Sequence, residues 1–263
     1  MAHVLTERDR NGVATVTLDR PEKRNAFNDE VIGEIEAAFA DVGGDDAVRV
    51  VVLAANGPSF CGGADVNWLK ASVELTEQEN YDDAFAIARM LRTVDTVPKP
   101  TLALVQGAVM GGGAGLVAAC DIAVAARGAF FAMSEVRLGL IPAAVSPYVV
   151  AAIGVRAARR YFLTAERLDA AEALRLGFVH EVVEDAAALA AARDRIVGQL
   201  LACAPGAIAA SKDLIRAVGG KIVDETMMKE TAVRIARQRT SADGQEGLAA
   251  FIEKRAPRWA VDR

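Results

Sequence analysis

Glu135 is the only acid in FAMSEVRLGLIP (residues 131–142), a segment that is otherwise mostly apolar. A carboxyl group among such neighbours is neutralised, paired or functional, because desolvation raises its pKa toward the range in which it can both take and return a proton. Pairing would go to Arg137 or another nearby arginine. Moving a proton at a carbon beside a carbonyl also requires donors for the oxygen on which negative charge develops. Two glycine-rich corners could supply them. Gly111, Gly112 and Gly113 open GGGAGLVAACDIAVA (residues 111–125), after one strand pattern and before a helix. FCGGADVNWLK (residues 60–70) follows another strand pattern, with Gly62, Gly63 and Ala64 leaving the backbone bare. The first amides of a helix lack internal partners and sit at the positive end of its dipole. One amide from each corner, aimed at one oxygen, would stabilise an oxyanion. The same glycines would equally permit close packing of a helix on a sheet.

Other chemistries lack material. Leu116 stands where a dinucleotide fingerprint has its third glycine, and no Gly-Lys-Ser/Thr occurs. The two histidines are His3, at a terminus expected to fray, and His180, in the strand-like GFVHEVV, which argues against a histidine triad or a zinc site. Cys61, Cys120 and Cys203 follow no metal or disulfide spacing and read as buried free thiols. Thirty basic against thirty-five acidic residues, with no basic block, argue against a nucleic-acid partner. No stretch is long and apolar enough to suit a bilayer, and MAHVLTERDR lacks the apolar core of a secretory signal, so no membrane partner and a cytoplasmic location are expected.

Several elements must position these groups. GVATVTLDRP (residues 12–21) alternates and reads as an edge-accessible strand. Asn28 caps a helix that buries Val31, Ile35, Phe39 and Val42 and stops at Gly43. The runs VRVVVLAA (48–55), TLALVQG (101–107) and CDIAVAA (120–126) read as strands, the continuous apolar ones buried on both faces, and the glycine segment between the last two outlines a parallel crossover. A polar helix spans about 76–93 before VPKP. SPYVVAAIG (146–154) reads as a helix capped by Ser146, begun by Pro147 and ended by Gly154, and LDAAEALRLG repeats the pattern from Asp169 to Gly177. Beyond residue 185 four alanine-rich helical segments follow with no strand pattern. The organisation is an α/β core over 1–185 and a helical region over 186–263. If the strands ending near Leu53 and Val105 are neighbours, both corners lie side by side at their C-terminal ends.

Six segments, RPEKRNAF (20–27), SFCGGADVNWLK (59–70), GAVMGGGAGLVAACDIAVA (107–125), SEVRLGLIP (134–142), LGFVHEVV (176–183) and EGLAAFIEKRAPRW (246–259), together resemble the enoyl-CoA hydratase/isomerase (crotonase) family over nearly the whole chain. Within it, GLVAACDIAVA and SEVRLGLIPAAVSPYVVAAIG are most similar to bacterial hydratases of 3-methylglutaconyl-CoA. The resemblance implies an α/β spiral of ββα units with a C-terminal helical trimerisation region, and a homotrimer or hexamer. It implies an acyl-CoA thioester as partner, with no cofactor beyond the coenzyme A of the substrate. The thioester oxygen would meet the amides of Ala64 and Gly112, and Glu135 would be catalytic. Gly111 and Gly115 would border the acyl group. Backbone at Ala26, Asp65, Val66 and Asn67 would cradle the adenine, with Lys254 near a CoA phosphate, across a subunit boundary.

Two departures bear on the chemistry. The family pattern has a second glutamate where this chain has Gly115, so Glu135 would act alone. It could take a proton from water and return it to carbon in a hydration giving a 3-hydroxyacyl-CoA, or shuttle one proton as a Δ3,Δ2-enoyl-CoA isomerase does. A non-catalytic CoA-binding role is the third alternative. Ala143, Ala144 and Val145 replace a glycine-rich turn and make a bulkier wall, and Trp68 either walls the acyl group or packs. A branched or carboxylated acyl group would call for a cation, with Lys70, Lys99 and Arg137 available.

Overall fold

A computed structural model describes residues 2–260. The chain opens with β1 (Val4–Arg8), antiparallel to β2 (Val13–Leu18). α1 (Asp29–Gly44) starts at Asn28, whose side chain accepts from the Val31 N–H, and buries Val31, Ile35, Phe39 and Val42. β3 (Val50–Ala55) joins β2 in parallel. α2 (Val66–Ser72) and α3 (Glu77–Thr96) follow, the latter begun by a capping box of Thr76 and Glu79. β4 (Thr101–Val105) pairs with β3, after which β5 (Ala108–Met110) leaves for a second sheet and leads into α4 (Gly112–Ala119). β6 (Ile122–Ala126) returns beside β4, and β7 (Phe130–Ala132) pairs with β5. Next come α5 (Ser146–Thr164), β8 (Leu168–Asp169), α6 (Ala170–Leu176) and β9 (Glu181–Val183). The chain ends in α7 (Ala188–Leu201), α8 (Pro205–Val218), α9 (Glu225–Thr240) and α10 (Ala242–Glu253).

The larger sheet runs β1-β2-β3-β4-β6-β9 and the smaller β5-β7-β8. β4 is followed by β5 and then a helix, and β6 by β7 and then a helix, so each turn of the chain lays one strand in each sheet. This is a spiral of ββα units. Isolated bridges, Phe27 to Ala64 and Cys61 to Val109, carry the smaller sheet back through the earlier turns.

The uninterrupted apolar strands follow from two cores. Val51 and Leu53 of β3 point into a core shared with α1, α3, α4 and α5. Their neighbours Val50 and Val52, with Leu102, Leu104 and Val124, meet Leu189, Ile196 and Leu201 of α7 on the opposite face. Both faces being buried, the strand needs no polar alternation.

The structure corrects three local expectations. β2 is not at an edge, because residues 4–8 form β1 instead of fraying, and His3 sits beside them with Nε2 3.4 Å from Glu30. Ser146 does not cap α5: it lies inside the first turn and its Oγ donates to Ala143 O at 2.8 Å. Gly154 breaks α5 with φ 73° and ψ 159°, but the helix resumes to Thr164, so the glycine marks a kink and not an end. The short elements α2, β5 and β7 carried no periodicity long enough to read.

The helical region is tied to the sheet by a buried cation. Lys212 Nζ on α8 donates to Asp121 Oδ2 at 2.7 Å and to Lys99 O at 3.2 Å. The same Asp121 oxygen accepts from Thr101 N at 2.8 Å and Thr101 Oγ1 at 2.9 Å. Lys212→Met removes a charge-assisted bond while Asp121 keeps its threonine donors, so urea unfolding at fixed protein concentration should show a loss of about 2 kcal/mol.

Candidate active site

The two glycine corners are strips of the smaller sheet. Cys61 N–H donates to Ala108 O at 3.0 Å and Met110 N–H donates to Cys61 O at 2.9 Å, which fixes Cys61 opposite Val109 in parallel register. Phe27 lies next to both corners: it bridges to Ala64, and its ring faces Gly112. On its other side the first strip meets Phe27, whose N–H donates to Gly63 O and whose carbonyl accepts from Asp65 N–H, both at 2.7 Å. Alternation along a strip then turns the Ala64 N–H away from Phe27. The strips are in contact: a Cβ on Gly63 would lie 3.2 Å from Met110 Cβ, and one on Gly112 would lie 2.9 Å from the Phe27 ring.

Fewer amides are free than the sequence promises. Gly62 N–H donates to Arg24 O at 2.7 Å and Gly111 N–H to Ala132 O at 2.9 Å. Gly63 and Gly113 flank the Cys61 sulfur: Gly63 O lies 3.9 Å from it, and a Cβ on Gly113 would fall 2.9 Å from it. The amides of Gly63, Ala64, Gly112 and Gly113 have no backbone acceptor among the described residues; Gly63 and Gly113 are buried beside Cys61, which leaves the half-buried Ala64 and Gly112 as the ones a ligand can approach.

Glu135 opens a single 3-10 turn, Glu135–Leu138, that follows β7 and closes at Gly139 with φ 74°. Its carboxylate stands over the glycine corner, since a Cβ on Gly111 would lie 3.1 Å from Oε1. Oε2 is buried without a hydrogen-bond partner among the described residues. The ion pair to Arg137 does not form; Arg137 is exposed on the same turn. Burial pushes the Glu135 carboxyl above the usual range, and its own backbone N–H opposes this.

Gly115 lies one turn along α4 from Gly112. A Cβ there would overlap Val145 Cγ1, lie 2.8 Å from Val145 Cβ and come within 3.2 Å of Leu91 Cδ1. The bulk anticipated at 143–145 is thus Val145, buried against the bare face of α4 where another side chain would project. Trp68 is half-buried and packs against the main core.

Beside the Ala64 amide opens a cleft of about 310 Å³ lined by Lys23, Arg24, Ala26, Ala64, Asp65, Val66 and Asn67 among others. Its walls are fixed by side chains that sequence reasoning missed. Asn25, buried at φ 53°, donates through Nδ2 to Asn56 O and Ser59 O, each at 2.9 Å, and its Oδ1 accepts from Arg20 N at 2.8 Å. Arg20 pairs with Asp65 at 2.9 Å, and Asp65 Oδ1 caps α2 by accepting from Asn67 N at 2.8 Å. The Asn67 N–H and the Arg20 guanidinium hold the Asp65 carboxyl below its usual range. Of these bonds made by Arg20 and Asn25, only that from Arg20 N–H to Asn25 Oδ1 is local; the others cross to residues 56, 59 and 65 and leave no signal in the segment itself. Lys254 does not line this cleft; it is exposed and ends α10 at φ 56°.

His180 is structural, Nδ1 accepting from Ala123 N–H at 3.1 Å. Among the described residues no cluster of three His, Cys, Asp or Glu side chains could hold a metal ion. Cys61 and Cys120 are buried, but Cys203 is exposed, contrary to its expected burial.

Comparison with known proteins adds the lineage. The family model described as enoyl-CoA hydratase/isomerase matches residues 8–262. A crystal structure of an enoyl-CoA hydratase from Shewanella pealeana superposes with a TM-score of 0.95 at 42% identity, over 98% of this chain and 96% of that one. A Thermus thermophilus protein provisionally assigned as an enoyl-CoA hydratase is 35% identical over 97% of this chain and its own full length. The 1,2-epoxyphenylacetyl-CoA isomerase of Escherichia coli is 32% identical over 94% of this chain and 95% of its own.

The contact of Gly115 with Val145 is open to a double-mutant cycle. Gly115→Ala should cost about 1–3 kcal/mol through overpacking. In a Val145→Ala background the cost should shrink without vanishing, because the overlap with Cγ1 is gone while the 2.8 Å approach to the Cβ of residue 145 remains; urea denaturation of the four proteins measures it.

Proposed function

The chain belongs to the enoyl-CoA hydratase/isomerase family, and on that premise we propose that it adds water across the 2,3 double bond of an enoyl-CoA to give a 3-hydroxyacyl-CoA. The observation that carries this reading is the grouping of two partnerless amides, Ala64 and Gly112, with a carboxylate whose Oε2 is buried and equally partnerless. The thioester oxygen accepts from both amides, and their preorganised dipoles favour the enolate over the ground state. Ionised Glu135 takes a proton from water as the water oxygen bonds to C3. The π electrons of the double bond move onto the thioester oxygen. Glu135 then gives its proton to C2 as the enolate collapses to the carbonyl. One carboxylate serves as base and then acid, because Val145 fills the space at Gly115.

The cleft next to Ala64 suits the nucleotide end of coenzyme A. Backbone at Ala26 and from Asp65 to Asn67 faces the adenine, Lys23 and Arg24 offer charge to phosphates, and Lys254 reaches a phosphate from a neighbouring subunit. Self-association as a trimer or hexamer is supported by Ile222, Val223, Phe251 and Ile252 in the helical region, each at least 75% exposed in the single chain. For the acyl group we favour a branched, carboxylated one such as 3-methylglutaconyl. Lys70, Lys99 and Arg137, which have no carboxylate partner among the described residues, are the cations available to meet it. A cytoplasmic location and no cofactor beyond the substrate's coenzyme A complete the reading.

A second reading, Δ3,Δ2 isomerisation, is favoured by the lone carboxylate, which is all that a proton shuttle between two carbons requires. Incubation with straight, branched and carboxylated 2-enoyl-CoAs, read by mass, separates the two: hydration adds one water to at least one substrate, and products of unchanged mass alone would leave isomerisation.

Glu135→Gln should lower kcat/KM by about 10²–10⁴-fold. With the parent protein kcat/KM should fall as pH drops through a pKa above the ordinary glutamate value of about 4.3, since the base must be ionised, and this limb should vanish in the variant. Stability carries the opposite sign. A raised folded-state pKa means that ionised Glu135 destabilises the fold, fully above that pKa and not at all below the unfolded one. Thermal melts should therefore show Glu135→Gln more stable than the parent near neutral pH, with the gain disappearing in acid.

A further inference from the structure

Cys61 is the buried nucleophilic side chain beside this site for which the chemistry above finds no task. Its sulfur is fully enclosed, and burial pushes the thiol up to about 12, so it stays neutral and is no nucleophile at ordinary pH. Its position is more telling. The sulfur lies 3.9 Å from Gly63 O in one corner, and a Cβ added to Gly113 in the other would fall 2.9 Å from it. The same Cβ would fall 2.5 Å from Cys61 Cβ, so Gly113 has to be glycine beside both side-chain atoms of Cys61.

Each of those contacts is one covalent step from a proposed oxyanion donor. The Gly63 carbonyl and the Ala64 N–H belong to one planar peptide, so holding the first sets the direction of the second. Gly113 follows Gly112 in the first turn of α4, and its N–H direction fixes how that turn is rotated. We propose that Cys61 is a positioning residue: its sulfur, wedged between Gly63 and Gly113, holds the Ala64 and Gly112 amides at the angle at which they meet one thioester oxygen. This rests on the oxyanion role given to those amides above. Sulfur suits the place because its contacts are longer than those of oxygen, which bonds over 2.5–3.2 Å. A serine hydroxyl would reach one corner or the other, and an alanine would keep only the contact of its Cβ with Gly113 and lose the one to Gly63.

The test measures three quantities on the full-length parent, Cys61→Ala and Cys61→Ser. These are kcat for hydration of but-2-enoyl-CoA, the Kd of free coenzyme A by calorimetry, and the thioester C=O stretch of bound, carbonyl-labelled butanoyl-CoA by infrared difference spectroscopy. Misplacing a reacting geometry by about 1 Å costs up to about 10²-fold, so Cys61→Ala should lower kcat by about 10–100-fold while the Kd of coenzyme A stays within about twofold. Its bound C=O stretch should move back toward that of the free thioester, with Cys61→Ser between the two. A Cys61→Ala protein with parental kcat and parental stretch, whatever its melting temperature, would make the sulfur mere filler and overturn the proposal. If Cys61→Ala does not fold, unchanged kcat and stretch in Cys61→Ser overturn it instead. A parent in which binding leaves the stretch unmoved sinks the oxyanion reading itself, which is a different failure from a shift that both parent and variant retain.

Discussion

Two hydrogen bonds, Cys61 N–H to Ala108 O and Met110 N–H to Cys61 O, lock the glycine corners in parallel register, and the rest of the site is placed relative to them. A slip of one residue would turn either free amide to the opposite side of its strip. The chain can enter this register because Gly107, at φ 61°, passes so close to Pro58 O that no Cβ would fit. Glu135 belongs to the same network. Met110 pairs with Ala132 across β5 and β7, and Gly111 N–H donates to Ala132 O, three residues before the carboxylate. Donors and acid are thus carried by neighbouring strips of one small sheet.

A buried carboxylate oxygen without a partner costs on the order of 1–3 kcal/mol, and here Glu135 Oε2 is such an atom, in a site whose half-buried amides also lack acceptors. The fold tolerates them because the larger sheet is buried on both faces, under α1, α3, α4 and α5 on one and α7 on the other. Most of the apolar surface is spent away from the site, which leaves the smaller sheet free to present backbone. The wall over α4 is a separate choice. Val145 and Leu91 occupy the volume beside Gly115 without touching the register of the two strips, so the acyl side can vary while the amide geometry holds.

Much of this was legible from residue types alone. Asn28, Asp169 and Gly177 mark their helices in the sequence, and the apolar runs that become β3, β4 and β6 give the parallel layer and its burial. Glu135 stood out as an acid among apolar neighbours. Other features depend on tertiary contacts that no local pattern carries. Which of the corner amides stays free depends on Ala132 and Cys61, far off in the chain or hidden in a motif read as glycine-rich. The tie of Arg20 to Asp65 and the bonds of Asn25 join segments tens of residues apart. Ser146 misled because its sequence context fits a cap, whereas the preceding residue Val145 is already helical at φ −84° and ψ −19° and its side chain is drawn into the core against α4.

The loop from Arg20 to Phe27 is ordered by the protein itself. Asn25 bonds it to Asn56 and Ser59, Arg20 pairs with Asp65, and Arg24 and Asn25 are held in left-handed conformations. A ligand entering the adjoining cleft meets a surface already rigid, so its association does not have to offset the entropy of freezing a loop. Affinity there would be governed by desolvation and shape, and exchange of one bound molecule for the next need not wait for a segment to unfold and refold.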